Sequence, residues 1–432
     1  MRRASICGLL WLLWSLSGVS VVADEWPQFR GPNGNNIVTT AAFPESWSAE
    51  KNLAWKVQVP GDGRSSPIVS GEKIFLTTAI EEQAPVIKGN RFQGGRYRWE
   101  VHCLDLQTGS TLWQRVATQG EPRISSHQSN GYASETPVTD GERVYVYFGM
   151  TGLFAYDFEG HLVWKKDLGA FSMQRDWGTS SSPLYYDQRL YLQIDSLEKS
   201  FLVALDPKSG EQLWRIERDE GCNWSTPIIW HNSKRVELVT HGKIARSYDP
   251  QTGALLWQLD IGGGRCSASP TAVGDLLYLG SETRSDGGGF LFAITAGAAG
   301  DITPSGGETS SAGVLWSKAK AGPLMASPLV YRDLIYILQR RNGILVAYDA
   351  KTGDEAYKAR LTGARAFWAS PWAHGDKVYC LDDGGIVHVV APGPKFELLA
   401  QNSLDGEFWS SPAIVTGTIL LRSVDQLYCV RQ

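Results

Sequence analysis

The sequence predicts an all-β protein, an eight-bladed β-propeller of four-stranded antiparallel blades. Three observations lead to this prediction. A hairpin unit recurs along the chain, a Ser-Pro or Thr-Pro pair recurs beside it, and the commonest spacing between successive pairs is 41–46 residues. A period of this length holds four short strands and their turns, which is typical of propeller blades.

The hairpin unit is clearest in ALDPKSGEQLW, Ala204 to Trp214. An apolar run ends at an Asp, whose carboxylate can accept N–H bonds across the turn, and a Gly then provides the positive φ that closes it. A Trp follows at a fixed offset, and we expect it to pack against the neighbouring unit. Further copies run from Cys103 to Trp113, Ala155 to Trp164, Ser247 to Trp257 and Ala347 to Tyr357.

The Ser/Thr-Pro pairs divide the chain into eight predicted blades. Their bounds are 64–117, 132–169, 177–218, 223–260, 265–320, 324–361, 367–404, and 408–432 joined to 52–58. The last unit lacks a final strand, whereas NLAWKVQ at 52–58 is a strand that precedes the first pair. We therefore expect 52–58 to complete the last blade and close the ring, which would leave no long open sheet edge. Blade one carries an insertion at 80–100, and a polar loop at 119–130 follows it.

The start of the chain is typical of an exported protein. Arg2 and Arg3 precede an apolar run, and Val21-Val22-Ala23 resembles a cleavage site, so residues 1–23 are predicted to be a signal peptide cleaved after Ala23. An uncleaved membrane anchor is the alternative. Residues 24–51 are interpreted as a lead-in segment packed on the propeller, and 52–432 as the propeller itself. No other stretch is apolar and long enough to span a membrane.

The resulting prediction is a monomer in the periplasm or outside the cell. The formal net charge is −4 and no basic run occurs, so nothing favours a nucleic-acid partner.

The hairpin unit resembles the tryptophan-docking motif A-x-D-x-x-T-G-x-x-x-W of quinoprotein alcohol dehydrogenases. Ala204, Asp206, Gly210 and Trp214 fit the motif, with Ser209 in the Thr position. Over about 52–432 the chain is similar to the PQQ-like β-propeller repeat family. That family includes dehydrogenases, which hold pyrroloquinoline quinone (PQQ) and calcium over a central funnel, and non-catalytic members such as the propeller subunit of outer-membrane barrel assembly. The resemblance therefore implies either function.

The residues favour the non-catalytic function. The dehydrogenases carry two adjacent cysteines against the quinone, and this chain has no Cys-Cys pair. Neither a catalytic Asp nor a metal site can be assigned. We expect a binding or scaffold protein of the cell envelope that recognises a protein or a polysaccharide through a loop face. The alternative is a PQQ-dependent dehydrogenase of an alcohol or a sugar.

A funnel rim is predicted from the residue three positions before each landmark Pro. These residues are Arg64, Ser134, Ser180, Trp224, Ser267, Met325, Trp368 and Trp409. Trp224, Trp368, Trp409, Met325 and Arg64, together with Arg265, form the candidate cofactor-binding set. They would either offer flat surfaces to a planar or sugar-like ligand or pack together and plug the funnel.

The remaining candidates are two arginines, a histidine and two cysteines. Arg265 and Arg365 could serve an anionic ligand or be solvated loop residues. His127, on the polar loop, is a candidate for either a structural or a catalytic hydrogen bond. Cys222 and Cys266 precede the landmark Pro residues of consecutive blades, and the sequence leaves open whether they form a disulfide.

Overall fold

The computed structural model describes residues 25–39, 43–263, 266–281 and 289–432. Within these ranges the regular structure is β, apart from one 3-10 turn at Gln174–Asp176. The all-β prediction is therefore confirmed. No helix in the described ranges is long and apolar enough to cross a bilayer. The predicted signal peptide lies outside the described residues.

The described residues form eight sheets of four or five strands, numbered here in chain order. Sheet 1 contains Ile68–Ser70, Lys73–Gln83, Arg96–Asp105 and Thr111–Gly120. Sheet 2 contains Val138–Thr139, Arg143–Phe148, Gly152–Asp157 and Leu162–Lys166. Sheet 3 contains Leu184–Tyr186, Arg189–Asp195, Ser200–Leu205 and Gln212–Glu217. Sheet 4 contains Ile228–His231, Val236–Thr240, Ile244–Tyr248, Leu255–Asp260 and the parallel strand Gly300–Asp301.

The second half of the chain repeats the pattern. Sheet 5 contains Thr271–Val273, Leu276–Gly280, Leu291–Thr295 and Val314–Lys318. Sheet 6 contains Leu329–Tyr331, Leu334–Leu338, Ile344–Asp349 and Glu355–Arg360. Sheet 7 contains Trp372–His374, Lys377–Leu381, Ile386–Val390, Leu398–Ser403 and the parallel strand Ile37–Val38. Sheet 8 contains Ala413–Val415, Thr418–Arg422, Gln426–Arg431 and Leu53–Gln58.

Sheet 8 joins the two ends of the described chain. Leu53–Gln58 pairs antiparallel with Gln426–Arg431, and Trp55 lies opposite Cys429. Half-buried and exposed residues alternate along Leu53–Gln58, as expected for an outer strand with one covered face. The indole Nε1 of Trp55 donates a hydrogen bond to the carbonyl oxygen of Leu106 at 3.2 Å. One residue of sheet 8 thus contacts the hairpin of sheet 1.

Four of the repeat tryptophans make the same contact between consecutive sheets, whereas the indole of Trp257 donates to Glu237 of its own sheet. The indole of Trp113 in sheet 1 donates to the carbonyl of Phe158, directly after the hairpin Asp of sheet 2, at 2.8 Å. A Cβ at Gly160 would approach this ring to 2.7 Å, and the φ of Gly160 is +82°. Both conditions require glycine at that position. Equivalent hydrogen bonds run from Trp164 to Pro207, from Trp214 to Pro250 and from Trp316 to Ala350.

A second set of contacts explains the Ser/Thr-Pro landmark. At seven of the eight landmarks, the hydroxyl before the Pro accepts a hydrogen bond from the backbone N–H of the equivalent residue in the preceding sheet. These seven bonds, of 2.9–3.1 Å, form a series in which the N–H of each residue donates to the hydroxyl of the next. The series is Ser66, Thr136, Ser182, Thr226, Ser269, Ser327, Ser370 and Ser411. Between sheets 8 and 1 the hydroxyl of Ser410 donates to the carbonyl oxygens of Arg64 and Ser65. Proline at the next position supplies no N–H that would need a partner.

Replacing Ser327 with alanine tests this chain of bonds. The buried N–H of Ser269 would lose its acceptor, so the free energy of unfolding should fall by roughly 1–3 kcal/mol. Ser327→Thr should restore most of it, because threonine already occupies this place at Thr136 and Thr226. The exposed turn residue Ser209, changed to alanine, is the matched control. Urea unfolding measures all three variants, and equal midpoints for Ser327→Ala and Ser209→Ala would contradict the account.

The lead-in segment crosses several sheets. Trp26 bridges Val69 of sheet 1, and Asn36 donates to the carbonyl of Pro371 beside sheet 7. Between them, the fully buried guanidinium of Arg30 donates to the carbonyls of Pro270 and Pro328 at 2.8 and 3.1 Å. Burial lowers the pKa of Arg30 to about 9, so the group is still charged at neutral pH. The segment thereby ties together sheets that are distant in sequence.

The structure differs from the predicted blades in three places. The last strand of sheet 1 extends to Gly120, past the predicted end at 117, because the 80–100 insertion lengthens the strands it pairs with. The tip of this insertion forms a small sheet with the polar loop, made of Val86–Lys88, Arg91–Gln93 and Ser126–His127. Gly300–Asp301, predicted within blade five, pairs instead with sheet 4.

The five cysteines in the described ranges are free thiols, so Cys222 and Cys266 form no disulfide with each other. Cys266 is buried and its Sγ donates to the carbonyl of Gly242, whereas the Sγ of Cys222 accepts the N–H of Gln174. Burial raises the pKa of the Cys222 thiol, so it is protonated at neutral pH.

Candidate functional site

The strands nearest the landmark Pro residues surround a central cavity of about 380 Å³. All eight residues three positions before those Pro residues line it. The structure therefore brings together Arg64, Trp224, Met325, Trp368 and Trp409 of the candidate set. Arg265, the sixth member, lies outside the described residues. The spacing rule located the lining because one register relative to Pro is repeated in every blade.

Four of the lining side chains form a layered stack. The indoles of Trp368 and Trp409 are 3.7 Å apart between ring centroids and inclined by 17°. The guanidinium of Arg64 lies 4.1 Å from the Trp409 centroid, and that of Arg340 lies 4.4 Å from the Trp368 centroid. Because each indole already covers one face of the other, the guanidinium groups must occupy the outer faces. Cation–π attraction stabilises this order of layers.

The third tryptophan is held differently. Trp224 is buried, and its Nε1 donates to the carbonyl of Gly178 at 2.7 Å. Its ring packs against Trp177 with a centroid distance of 5.7 Å. Trp368 and Trp409 thus pack on each other and on two arginine side chains, which is one of the two alternatives that the sequence left open. Binding of a ligand by the rim stays a prediction.

The cavity has a protein floor. Phe29 of the lead-in segment lines both the central cavity and a second cavity of about 290 Å³ formed with residues of sheets 3, 4 and 5. Phe29 therefore lies between the two cavities, as do Thr226 and Ser269, which also line both. Sequence reasoning placed the lead-in on the propeller surface but contained nothing that assigned Phe29 to the central cavity.

Arg340 was missed by the sequence analysis, and His127 was anticipated only as a candidate. Arg340 follows the second strand of sheet 6, and the repeat gives no signal for it, because the equivalent described positions of the other sheets do not line the cavity. The Nδ1 of His127 is 2.6 Å from the hydroxyl of Ser129. Burial, and secondly the positive charge of Arg340, lower the pKa of His127. The imidazole is accordingly neutral at pH 7 and hydrogen-bonded within its own loop.

Arg365 does not line the cavity. Its side chain is 63% exposed and its Nε pairs with Asp383 at 3.1 Å. It is thus a solvated loop residue, one of the two alternatives open from the sequence, and it provides a control position for experiments on the cavity arginines.

A buried carboxyl lies directly behind the lining. Glu135, between the lining residues Ser134 and Thr136, accepts hydrogen bonds from the Thr179 hydroxyl at 2.5 Å and from the Gly149 N–H at 3.2 Å. Burial raises the pKa of Glu135 to about 7, and these hydrogen bonds offset that effect only in part.

The raised pKa predicts a pH-dependent stability. The folded state holds the proton of Glu135 more tightly than the unfolded state, so its contribution is full below pH 4.5 and is lost as the pH rises to about 7. Glu135→Gln removes this dependence. We expect the variant to exceed the wild type in unfolding free energy by roughly 2–3 kcal/mol at pH 8 and by less at pH 5. Urea unfolding at both pH values checks this, and the same difference at both would contradict it.

The repeated four-stranded sheets, the indole contacts between them and the central cavity define a PQQ-like repeat propeller. A family model described as "Outer membrane protein assembly factor BamB" matches residues 97–303 and 241–395. Because these matches cover more than half of the chain, the protein belongs to this family.

Two solved structures share the fold. BamB from Moraxella catarrhalis is 14% identical with a TM-score of 0.59, over 88% of this chain and 97% of that one. Quinohemoprotein alcohol dehydrogenase from Comamonas testosteroni is 12% identical with a TM-score of 0.61, over 95% and 81% of the two chains. At these identities the likeness shows the fold alone.

A curated relative is a tetrathionate hydrolase of Acidithiobacillus ferrooxidans. It is 21% identical over 360 residues, which are 76% of this chain and 64% of the relative. The match therefore spans less than two thirds of the relative's length.

Proposed function

We propose that the protein is an exported, monomeric propeller of the cell envelope that binds a partner without catalysing a reaction. Its eight sheets would be the blades of one closed ring, completed by Leu53–Gln58. The donor set of the central cavity carries the functional proposal. The described lining consists of guanidinium, hydroxyl, amide, imidazole, thioether and aromatic groups, and it contains no Asp, Glu or Cys.

Contacts between consecutive sheets support the closed ring. The Ser/Thr hydroxyls link sheets 1 to 8 in order, and Ser410 links sheet 8 to sheet 1. Trp55 repeats across the junction the contact that Trp113 makes between sheets 1 and 2. A closed ring with a floor is a rigid frame that presents its loops to a partner.

The alternative is a PQQ-dependent dehydrogenase, which the similarity to an alcohol dehydrogenase fold favours. Calcium requires several oxygen ligands, normally including carboxylates, and the oxidation of an alcohol needs a base near the quinone. The described lining of the cavity contains no carboxylate for calcium, and its one basic imidazole, that of His127, is hydrogen-bonded to Ser129 within its own loop. Nor does the described part of the chain contain any cluster of three His, Cys, Asp or Glu suited to a metal. The residues present do not fit the calcium–quinone pair, so we derive no redox step.

The name of the tetrathionate hydrolase identifies an anion, tetrathionate, as the substrate of that enzyme. That activity is not proposed for this chain, because the match is distant and covers only part of the relative.

Reconstitution separates the two candidate functions. The purified protein is incubated with PQQ and calcium, and reduction of a dye is followed with a panel of alcohols and sugars. We expect no quinone-dependent turnover. Turnover that disappears when the quinone or the calcium is omitted would contradict the non-catalytic proposal. Binding of PQQ without turnover would not, because binding alone is what the proposal attributes to the cavity.

The binding function needs its own test. Wild-type protein and Trp368→Ala/Trp409→Ala are immobilised and exposed to envelope extracts and to purified envelope polysaccharides. Trp214→Ala, a change outside the cavity, is immobilised as the control. We expect the wild type and Trp214→Ala to retain a partner that the double variant, called here the rim variant, does not bind. Equal retention by all three proteins would show that the loop face around the cavity is not the binding surface.

A further inference from the structure

The central cavity holds a ring of hydroxyl donors that the fold leaves unused. Seven Ser/Thr hydroxyls accept an N–H from the preceding sheet, and each of these residues lines the cavity. A hydroxyl that accepts a hydrogen bond retains its own hydrogen for donation. Within the described residues, none of the seven donates to a protein acceptor. The ring therefore offers converging O–H groups to whatever occupies the cavity.

Arg64 adds a charged donor to the same space. Its Nε and Nη1 are buried and have no hydrogen-bond partner among the described residues. Among the described residues, the acid paired with it is Asp62, 3.7 Å from Nη2. Leaving buried donors of a charged group unpaired is costly, so a ligand that accepts from them gains binding energy. The stack on Trp409 holds the guanidinium plane in one orientation, which reduces the entropy lost when a ligand binds.

The remaining lining also favours a negatively charged ligand. Arg340 places a second positive charge in the lining, and the described lining contains no carboxylate. A neutral sugar would need a free aromatic face, and the facing sides of Trp368 and Trp409 are occupied by each other. Charge and donor geometry thus both distinguish an anion from a neutral ligand.

We propose that the central cavity binds a small oxyanion, with the anionic oxygens accepting from Arg64 and from the ring of Ser/Thr hydroxyls. This inference rests on the proposed function, since it takes the cavity to be a binding site, and it names the class of ligand. Carboxylates and sulfate share the required chemistry, namely planar or tetrahedral oxygen acceptors carrying negative charge. The cavity volume of about 380 Å³ suits a ligand the size of a single acidic sugar or smaller.

Calorimetric titration with three probes tests the proposal. The probes are galacturonate, galactose and sulfate, so that one pair differs only in the carboxylate and the third is a free inorganic anion. We expect galacturonate, sulfate or both to bind with a dissociation constant in the millimolar range or below, and galactose not to bind. Binding by galacturonate alone identifies an acidic sugar or organic acid, and binding by sulfate identifies a simple oxyanion. Failure of both anions, or equal binding of galactose, would overturn the proposal.

Variants assign the site. Arg64→Gln should weaken binding of the anion by roughly tenfold or more, because it removes the charged donor. Arg64→Lys should give a smaller loss, since it keeps the charge without the planar fork. Arg365→Gln, which removes an exposed arginine outside the cavity, should leave the affinity unchanged. Melting curves and near-ultraviolet circular dichroism establish that each variant is folded, and an unaltered affinity in folded Arg64→Gln would place the anion elsewhere.

Failure of this proposal can be told apart from failure of the proposed function. Titration is carried out without quinone or calcium, so it does not depend on the absence of dehydrogenase activity. If no anion binds while the rim variant still loses its envelope partner, the binding function stands and only the ligand class is wrong. If anions bind and quinone-dependent turnover is also found, the ligand class stands and the non-catalytic function is wrong.

Discussion

Replacing Asp195 with alanine is expected to lower the free energy of unfolding by roughly 3–5 kcal/mol, because it leaves a buried guanidinium without its counter-charge. The side chains of Asp195 and Arg218 are both fully buried, and Nε and Nη2 of the arginine lie 3.0 and 3.3 Å from the two carboxylate oxygens. Arg218 also donates to the hydroxyl of Thr240 at 2.6 Å. The pair therefore links sheets 3 and 4.

A double-mutant cycle distinguishes the charge effect from lost packing. Arg218→Met removes the cation and keeps most of the side-chain volume, so the double variant Asp195→Ala/Arg218→Met should be more stable than Asp195→Ala alone. Urea unfolding of the wild type, both single variants and the double variant gives the coupling energy. If the losses of unfolding free energy in the two single variants add up to the loss in the double variant, the coupling energy is zero and the ion pair makes no specific contribution to stability.

Replacing Trp257 with alanine should cost a similar amount, roughly 3–5 kcal/mol. The ring is completely buried, and its Nε1 donates to the buried carboxylate of Glu237 at 2.7 Å. The variant would leave both a cavity and a carboxylate deprived of one donor. Trp214 occupies the same repeat position but is half-buried, and its indole bonds a backbone carbonyl at 3.3 Å.

This contrast supplies the control. Trp214→Ala should cost clearly less than Trp257→Ala, and Trp257→Phe should recover the packing but not the hydrogen bond to Glu237. Thermal and urea unfolding measure the series. If Trp214→Ala proved as damaging as Trp257→Ala, burial at these repeat positions would not determine their contribution.

The sequence predicted the fold class and much of the cavity lining for one physical reason. Each blade repeats the same local register, so a residue at a fixed distance from its Pro occupies an equivalent place in the next blade. Arg64 and Trp409 were accordingly assigned to one rim although 345 positions separate them, and the structure places both on one cavity.

What the sequence could not show depends on contacts outside that register. Phe29 reaches the cavity from the lead-in segment, and Arg340 reaches it from the end of a second strand. The roles of Trp368 and Trp409 were also open, because a repeat position predicts where a ring lies but not which of its faces is covered. The hydrogen bonds of the Ser/Thr hydroxyls to the preceding sheet were also not predictable, because they depend on how the sheets are arranged in three dimensions.

Hydrogen–deuterium exchange of the peptides covering 53–58 and 426–431 tests the central claim, that the first strand of the propeller completes its last sheet. We expect slow exchange in both peptides, and faster exchange in both for Val57→Pro. The N–H of Val59 donates to the carbonyl of Asp425, so by the alternation of an antiparallel ladder Val57 also faces the partner strand, and proline there removes a hydrogen bond of the pairing. Rapid exchange of 53–58 in the wild type, with 426–431 still protected, would contradict the pairing and the closed ring proposed from it.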